Sequence, residues 1–106
     1  MDILIVEDDP TSRRVLSMAI AAFGHQVVEA ENGRQAIEIL EARPIAIIVT
    51  DWSMPEVDGQ ALCRHVRWAD FGRSIYIIVL TGKDRKEDIV EIFQAGADDY
   101  IPKPFD

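Results

Sequence analysis

Apolar runs along the chain end repeatedly on residues that carry chemistry. Ile3-Leu4-Ile5-Val6 leads into Glu7-Asp8-Asp9, and Ile45-Ala46-Ile47-Ile48-Val49-Thr50 into Asp51. Ile75-Tyr76-Ile77-Ile78-Val79-Leu80 leads into Thr81-Gly82, and Tyr100-Ile101-Pro102 into Lys103. Short continuous runs rich in β-branched residues predict strands buried on both faces, the signature of a parallel sheet. Between them the period changes to that of a helix. Leu16, Ala19, Ile20 and Phe23 recur at i, i+3, i+4 and i+7, with Pro10 near the start and Gly24 as a stop. A shorter strand is predicted over 25–30. Asn32 can then cap a helix carrying Ala36, Ile37 and Leu40, which Pro44 ends. The Met54-Pro55 step and the Asp58-Gly59 pair read as turns before a helix with Leu62, Cys63 and Val66. A break follows at Asp70-Phe71-Gly72. The last helix carries Ile89, Ile92 and Phe93 and stops at Gly96.

The resulting βαβαβαβαβ order predicts an α/β fold with a parallel sheet. In open sheets of this kind ligands bind beyond the carboxyl ends of the strands. Glu7, Asp8, Asp51, Thr81 and Lys103 would therefore meet on one rim. Acids at adjacent strand ends lie about 5 Å apart and raise one another's pKa unless a cation intervenes. Oxygen ligands favour Mg²⁺ or Mn²⁺ over zinc, and the isolated His25 and His65 offer no zinc spacing. Lys103, stiffened by Pro102 and Pro104, suits an anion such as a phosphoryl group, and the Thr81 hydroxyl and Gly82 amide can serve the same oxygens. The plainer alternatives are a helix cap for Thr81 and an ordinary ion pair for Lys103.

Composition narrows the picture further. A chain of 106 residues with 48% hydrophobic content supports one core, and 1–106 is expected to form a single domain. A net charge of −8 disfavours direct contact with nucleic acid or anionic lipid. No run is long enough to span a membrane, and no basic region precedes the first strand as it would in a secretory signal. The single cysteine, Cys63, suits a reducing cytoplasm and reads as core. Trp52 and Trp68 are both expected to pack. Thr81-Gly82-Lys83 lacks the upstream glycine of a phosphate loop, and Ser53 has no His/Asp partners for nucleophilic catalysis.

Five blocks in order now resemble the receiver domain of two-component response regulators. They are Ile5-Val6-Glu7-Asp8-Asp9, Thr50-Asp51-Trp52-Ser53-Met54-Pro55 with Asp58-Gly59, Leu80-Thr81-Gly82, Gly96-Ala97-Asp98-Asp99-Tyr100 and Lys103-Pro104-Phe105. The resemblance implies a flavodoxin-like doubly wound sheet of order 2-1-3-4-5. The fifth helix of that family is missing after Asp106, so one sheet face is expected to stay open, as in a chain truncated before its last helix. It also implies that Asp51 takes a phosphoryl group from a histidine kinase or a histidine phosphotransfer protein, as in a phosphorelay. Glu7, Asp8, Asp51 and the Ser53 backbone carbonyl would serve Mg²⁺, with Glu7 acting through a water. Thr81, Gly82 and Lys103 would hold the phosphoryl oxygens, and the Lys103-Pro104 bond would be cis. Thr81 and Tyr100 would switch the face formed by the 84–95 helix and the last strand, towards an output domain, a downstream protein or a second copy in a homodimer. Segments around Trp52 and Thr81–Ala97 also resemble receivers fused to diguanylate cyclases.

Two rival readings use the same residues. A phosphohydrolase of the haloacid-dehalogenase type also needs an aspartyl nucleophile, but Ser53 stands where such enzymes place a second Asp. A degenerate receiver would bind partners without phosphorylation, which the intact Asp8, Asp51, Thr81 and Lys103 set argues against.

Overall fold

The computed structural model describes residues 2–54, 57–69, 74–82 and 86–103. The predicted turn at Pro55, the break at 70–72, Lys83 and the Lys103-Pro104 bond lie outside them. The elements alternate as β1 (Asp2–Val6), α1 (Pro10–Ala21), β2 (Gln26–Ala30), α2 (Gly33–Ala42), β3 (Ile45–Asp51), α3 (Gly59–Ala69), β4 (Tyr76–Thr81), α4 (Lys86–Gln94) and β5 (Asp99–Pro102). The strands form one parallel sheet, as the pattern predicts, in the flavodoxin-like order β2-β1-β3-β4-β5 that the receiver resemblance implies. Parallel pairing places all five carboxyl ends on one rim.

Local signals account for most boundaries. Asp9 caps α1, its carboxylate accepting from the Ser12 amide at 2.8 Å, and Asn32 caps α2 by accepting from Gln35 at 2.8 Å. The helix-stop glycines Gly24 and Gly96 have φ of 90° and 117°, where a side chain would be strained.

Side chains alternate between two cores. Leu4, Val6, Ile48, Ile77 and Val79 point to one face and pack with Ala36 and Leu40 of α2, Leu62, Cys63 and Val66 of α3, and Ile92 of α4. Ile3, Ile5, Val49 and Leu80 point to the other, where Leu16 and Ile20 of α1 meet them. The first core is the deeper one; trimming a central side chain such as Ile48 to alanine would cost about 2–5 kcal/mol. On the second face Ile101, paired in register with Leu80, remains exposed. Among the described residues no helix is long and apolar enough to cross a membrane.

Two sequence expectations need correction. Phe23 is 83% exposed and Ala19 also faces outward, because α1 ends at Ala21 and Gly24 turns the chain away. The inward stripe is instead Arg13, Leu16, Ser17 and Ile20. Trp68 does not pack into a core: it is 82% exposed near the end of α3, tilted against His65, whereas Trp52 is buried.

Candidate functional site

The rim carboxylates are positioned by the strands that precede them. Val6 pairs with Thr50 in register, so Glu7 and Asp51 emerge side by side, and Asp51 in turn pairs with Leu80. Glu7, Asp8 and Asp51 each offer an oxygen, all within 4.8 Å of one another. Asp51 is only 8% exposed and Glu7 3%, whereas Asp8 faces solvent.

Lys103 reaches into this cluster from the end of β5. Its Nζ donates to Asp51 Oδ1 at 2.8 Å and to Glu7 Oε1 at 3.4 Å. The reach depends on a backbone tie, because the Lys103 amide donates to the Thr81 carbonyl at 2.7 Å. Thr81 itself is buried one residue past Leu80, and Gly82 is exposed, with open space where a side chain would stand. Ser53 lies exposed two residues after Asp51. Tyr100 is half-buried against the main core and meets Phe93 of α4 edge-on at 6.0 Å.

Among the described residues, one ammonium reaches two of the three rim carboxylates, Glu7 and Asp51. Glu7 is pushed above its ordinary range, first by burial and then by the Asp51 charge, against the restraining Asp9 amide and Lys103. Burial works against the Lys103 ammonium, but its hydrogen bond and attraction to Asp51, with Glu7 adding to both, raise its pKa. A hard divalent cation fits this donor set: three carboxylate oxygens converge within 4.8 Å of one another. Cys63 is sealed in the core, its thiol pushed up to about 12 by burial, so it offers no soft ligand.

Some supporting contacts go beyond the turn that the Asp58-Gly59 pair predicts. A Cβ on Gly59 would collide with the Asp51 carbonyl oxygen, so the start of α3 packs directly against the backbone of the central acid. Gly33 packs in the same way on Val57, its amide donating to the Val57 carbonyl at 3.1 Å. These glycines brace the β3–α3 loop, although Gly59 resembles any turn glycine in sequence. Asp58, beside it, accepts from the Ala61 amide at 2.9 Å and so caps α3. Asp51 is itself fixed by the Trp52 amide at 3.1 Å.

Comparison with known proteins agrees with this architecture. The family model for the response regulator receiver domain matches residues 3–106. The chemotaxis protein CheY1 of Helicobacter pylori is 36% identical over 107 residues, covering 99% of this chain and 86% of that protein. The transcriptional regulatory protein PhoP of Escherichia coli is 40% identical over 105 residues, covering 99% of this chain but only 46% of PhoP. Among solved structures, the receiver domain of a Pseudomonas aeruginosa sensor histidine kinase superposes with a TM-score of 0.89 at 33% identity, covering 99% of this chain and 86% of that one. That structure has a magnesium ion coordinated in its active-site cleft. The chain belongs to the response regulator receiver domain family.

Proposed function

We propose that this chain is a phosphorylation-dependent signalling switch of the cytoplasm, with Asp51 as the acceptor. The donor is the phosphohistidine of a histidine kinase or histidine phosphotransfer protein. The observation that carries this reading is the buried Asp51 carboxylate held by Lys103 at 2.8 Å, with oxygens of Glu7 and Asp8 within 4.8 Å. Glu7, Asp8, Asp51 and the Ser53 carbonyl would hold Mg²⁺, or Mn²⁺ in its place, which supplies positive charge against the phosphoryl oxygens.

The chain's own groups do the rest. As the phosphorus–nitrogen bond of the donor breaks, an Asp51 oxygen forms the new phosphorus–oxygen bond. Lys103 exchanges its bond to Asp51 for one to a phosphoryl oxygen, and the Thr81 hydroxyl and Gly82 amide donate to the others. Such transfers need positioning and charge neutralisation more than covalent help from the protein. The chain thus catalyses only its own phosphorylation and dephosphorylation.

Drawing Thr81 towards the phosphoryl group frees space that Tyr100 fills, and the α4–β5 face changes with it. Val90 and Phe93 are already exposed on α4, and Phe93 touches Tyr100, so the change would reach a surface open to an output domain, a downstream protein or a second copy. The test is incubation with acetyl phosphate and Mg²⁺. The wild-type chain should take up one phosphoryl group and Asp51→Asn none; equal labelling would overturn the assignment.

A further inference from the structure

We propose that Arg13 is a positioning residue for the rim acids, holding the backbone of Glu7 so that the three carboxylates stay converged for a cation. The proposal rests on the Mg²⁺-dependent reading of the rim and names a residue that reading leaves out.

Arg13 stands on the inward stripe of α1, where the helical pattern calls for an apolar residue, and its side chain is only 15% exposed. The guanidinium does not touch the carboxylates of the cluster. Its Nη1 donates to the Glu7 carbonyl oxygen at 2.9 Å and its Nε to Glu29 Oε1 on β2 at 3.2 Å. Nη2 lies 3.9 Å from Glu31 Oε1. On the other side of the same residue, the Glu7 amide donates to the Ala30 carbonyl at 3.1 Å. The peptide groups flanking Glu7 are thus tied to the end of β2, one directly and one through Arg13.

The need for such a tie follows from the charges. Glu7 and Asp51 are buried side by side, and Lys103, which bridges them, offsets only part of their repulsion, so a slack loop would relax by swinging Glu7 and Asp8 apart. Holding the loop keeps the oxygens together before a cation arrives. Partners outside the ligand set commonly change metal affinity by about 10–100-fold. The planar fork of arginine can grip Glu7 and Glu29 at once, whereas a lysine ammonium is a point charge on a flexible stem.

Charge and position make opposite demands, which makes the proposal testable. Removing a cation near a cation site should tighten Mg²⁺ binding on charge alone. Losing the grip on Glu7 should weaken it. The chain has two tryptophans, and Trp52 follows Asp51 directly, so Trp68→Phe leaves one reporter at the site. Mg²⁺ titrations by calorimetry and Trp52 emission would compare this parent with added Arg13→Ala or Arg13→Lys, alongside urea unfolding. Binding is expected to weaken about tenfold in Arg13→Ala, with Arg13→Lys intermediate. Unchanged or tighter binding in a folded Arg13→Ala protein would overturn the proposal, as would a lower urea midpoint with parental affinity. If Arg13→Ala does not fold, Arg13→Lys decides, since its charge is unaltered: parental affinity there would reject the role. A parent that binds no Mg²⁺ would instead remove the underlying reading of the rim, a result distinct from equal binding by parent and variants.

Discussion

Two cation–carboxylate clusters lie at opposite ends of β4. At the amino-terminal end, Arg67 of α3 donates to the Gly96 carbonyl at 2.9 Å, the Ile75 carbonyl at 2.7 Å and Asp98 Oδ2 at 2.6 Å. Asp98 accepts in addition from the Ile77 amide at 2.8 Å. One acid meets one guanidinium, and two neighbouring carbonyls accept from its other nitrogens. At the carboxyl end, Lys103 faces Glu7 and Asp51 with Asp8 alongside, and the acids outnumber the cation. The first cluster ties α3 to the α4–β5 turn and is complete. Among the described residues the second is left short of positive charge, which a structural tie would not need and a cation-dependent switch would. An open groove of about 500 Å³ lies beside the first cluster, lined by Arg67, Tyr76, Phe93 and Asp98 among others. Its lining includes none of the rim acids, so concavity and unbalanced charge point to different ends of the fold. We place the chemistry with the charge.

The sharpest way to break this contrast is to remove each cation in turn. Arg67→Met keeps the methylene stem but leaves Asp98 and two carbonyls short of a donor. Because both side chains are more than a third exposed, solvent softens the loss to about 1–2 kcal/mol. Urea unfolding should report that loss with or without Mg²⁺; a midpoint equal to wild type would mean that the tie is decorative. Lys103→Met should act differently, tightening Mg²⁺ binding about tenfold because the competing cation is gone. Weaker binding would show that Lys103 organises the acids rather than competing for them.

A smaller effect is expected at Glu7. Its folded pKa is raised above the ordinary 4.5, so its contribution to metal-free stability is full below that value and is lost as pH rises through the raised one. Lys103 is also raised, so its contribution is full below its ordinary 10.5 and falls only at higher pH. On this direction, Glu7→Gln should raise the midpoint of a metal-free thermal melt at neutral pH. The same variant should bind Mg²⁺ more weakly. A destabilised Glu7→Gln protein would mean that Lys103 outweighs burial at this carboxylate.

The contrast also marks what could be read from sequence. Strand runs, the Asn32 cap and the glycine stops act within a few residues, so β1 to β5 and the ends of α1, α2 and α4 were legible to within a residue or two. The terminal residues of the strands were legible too, since parallel pairing brings Glu7, Asp51, Thr81 and Lys103 to one rim. Contacts between distant segments were not. Arg13 and Arg67 look like surface charges on amphipathic helices, yet one grips Glu7 and the other spans Ile75 to Asp98. Gly59 looked like a turn residue because the close approach to Asp51 exists only once α3 docks. Phe23 and Trp68 depart from expectation for a related reason: periodicity identifies an apolar residue but not whether another element covers it.

The most direct test is chemical mapping of the phosphorylated carboxylate. After reaction with acetyl phosphate and Mg²⁺, borohydride reduces an acyl phosphate to an alcohol and so converts a modified aspartate to homoserine. Peptide mass spectrometry should find homoserine at position 51 and unmodified acids at positions 7 and 8. Reduction at Asp8, or at none of the rim acids, would contradict the assignment of Asp51 as the acceptor.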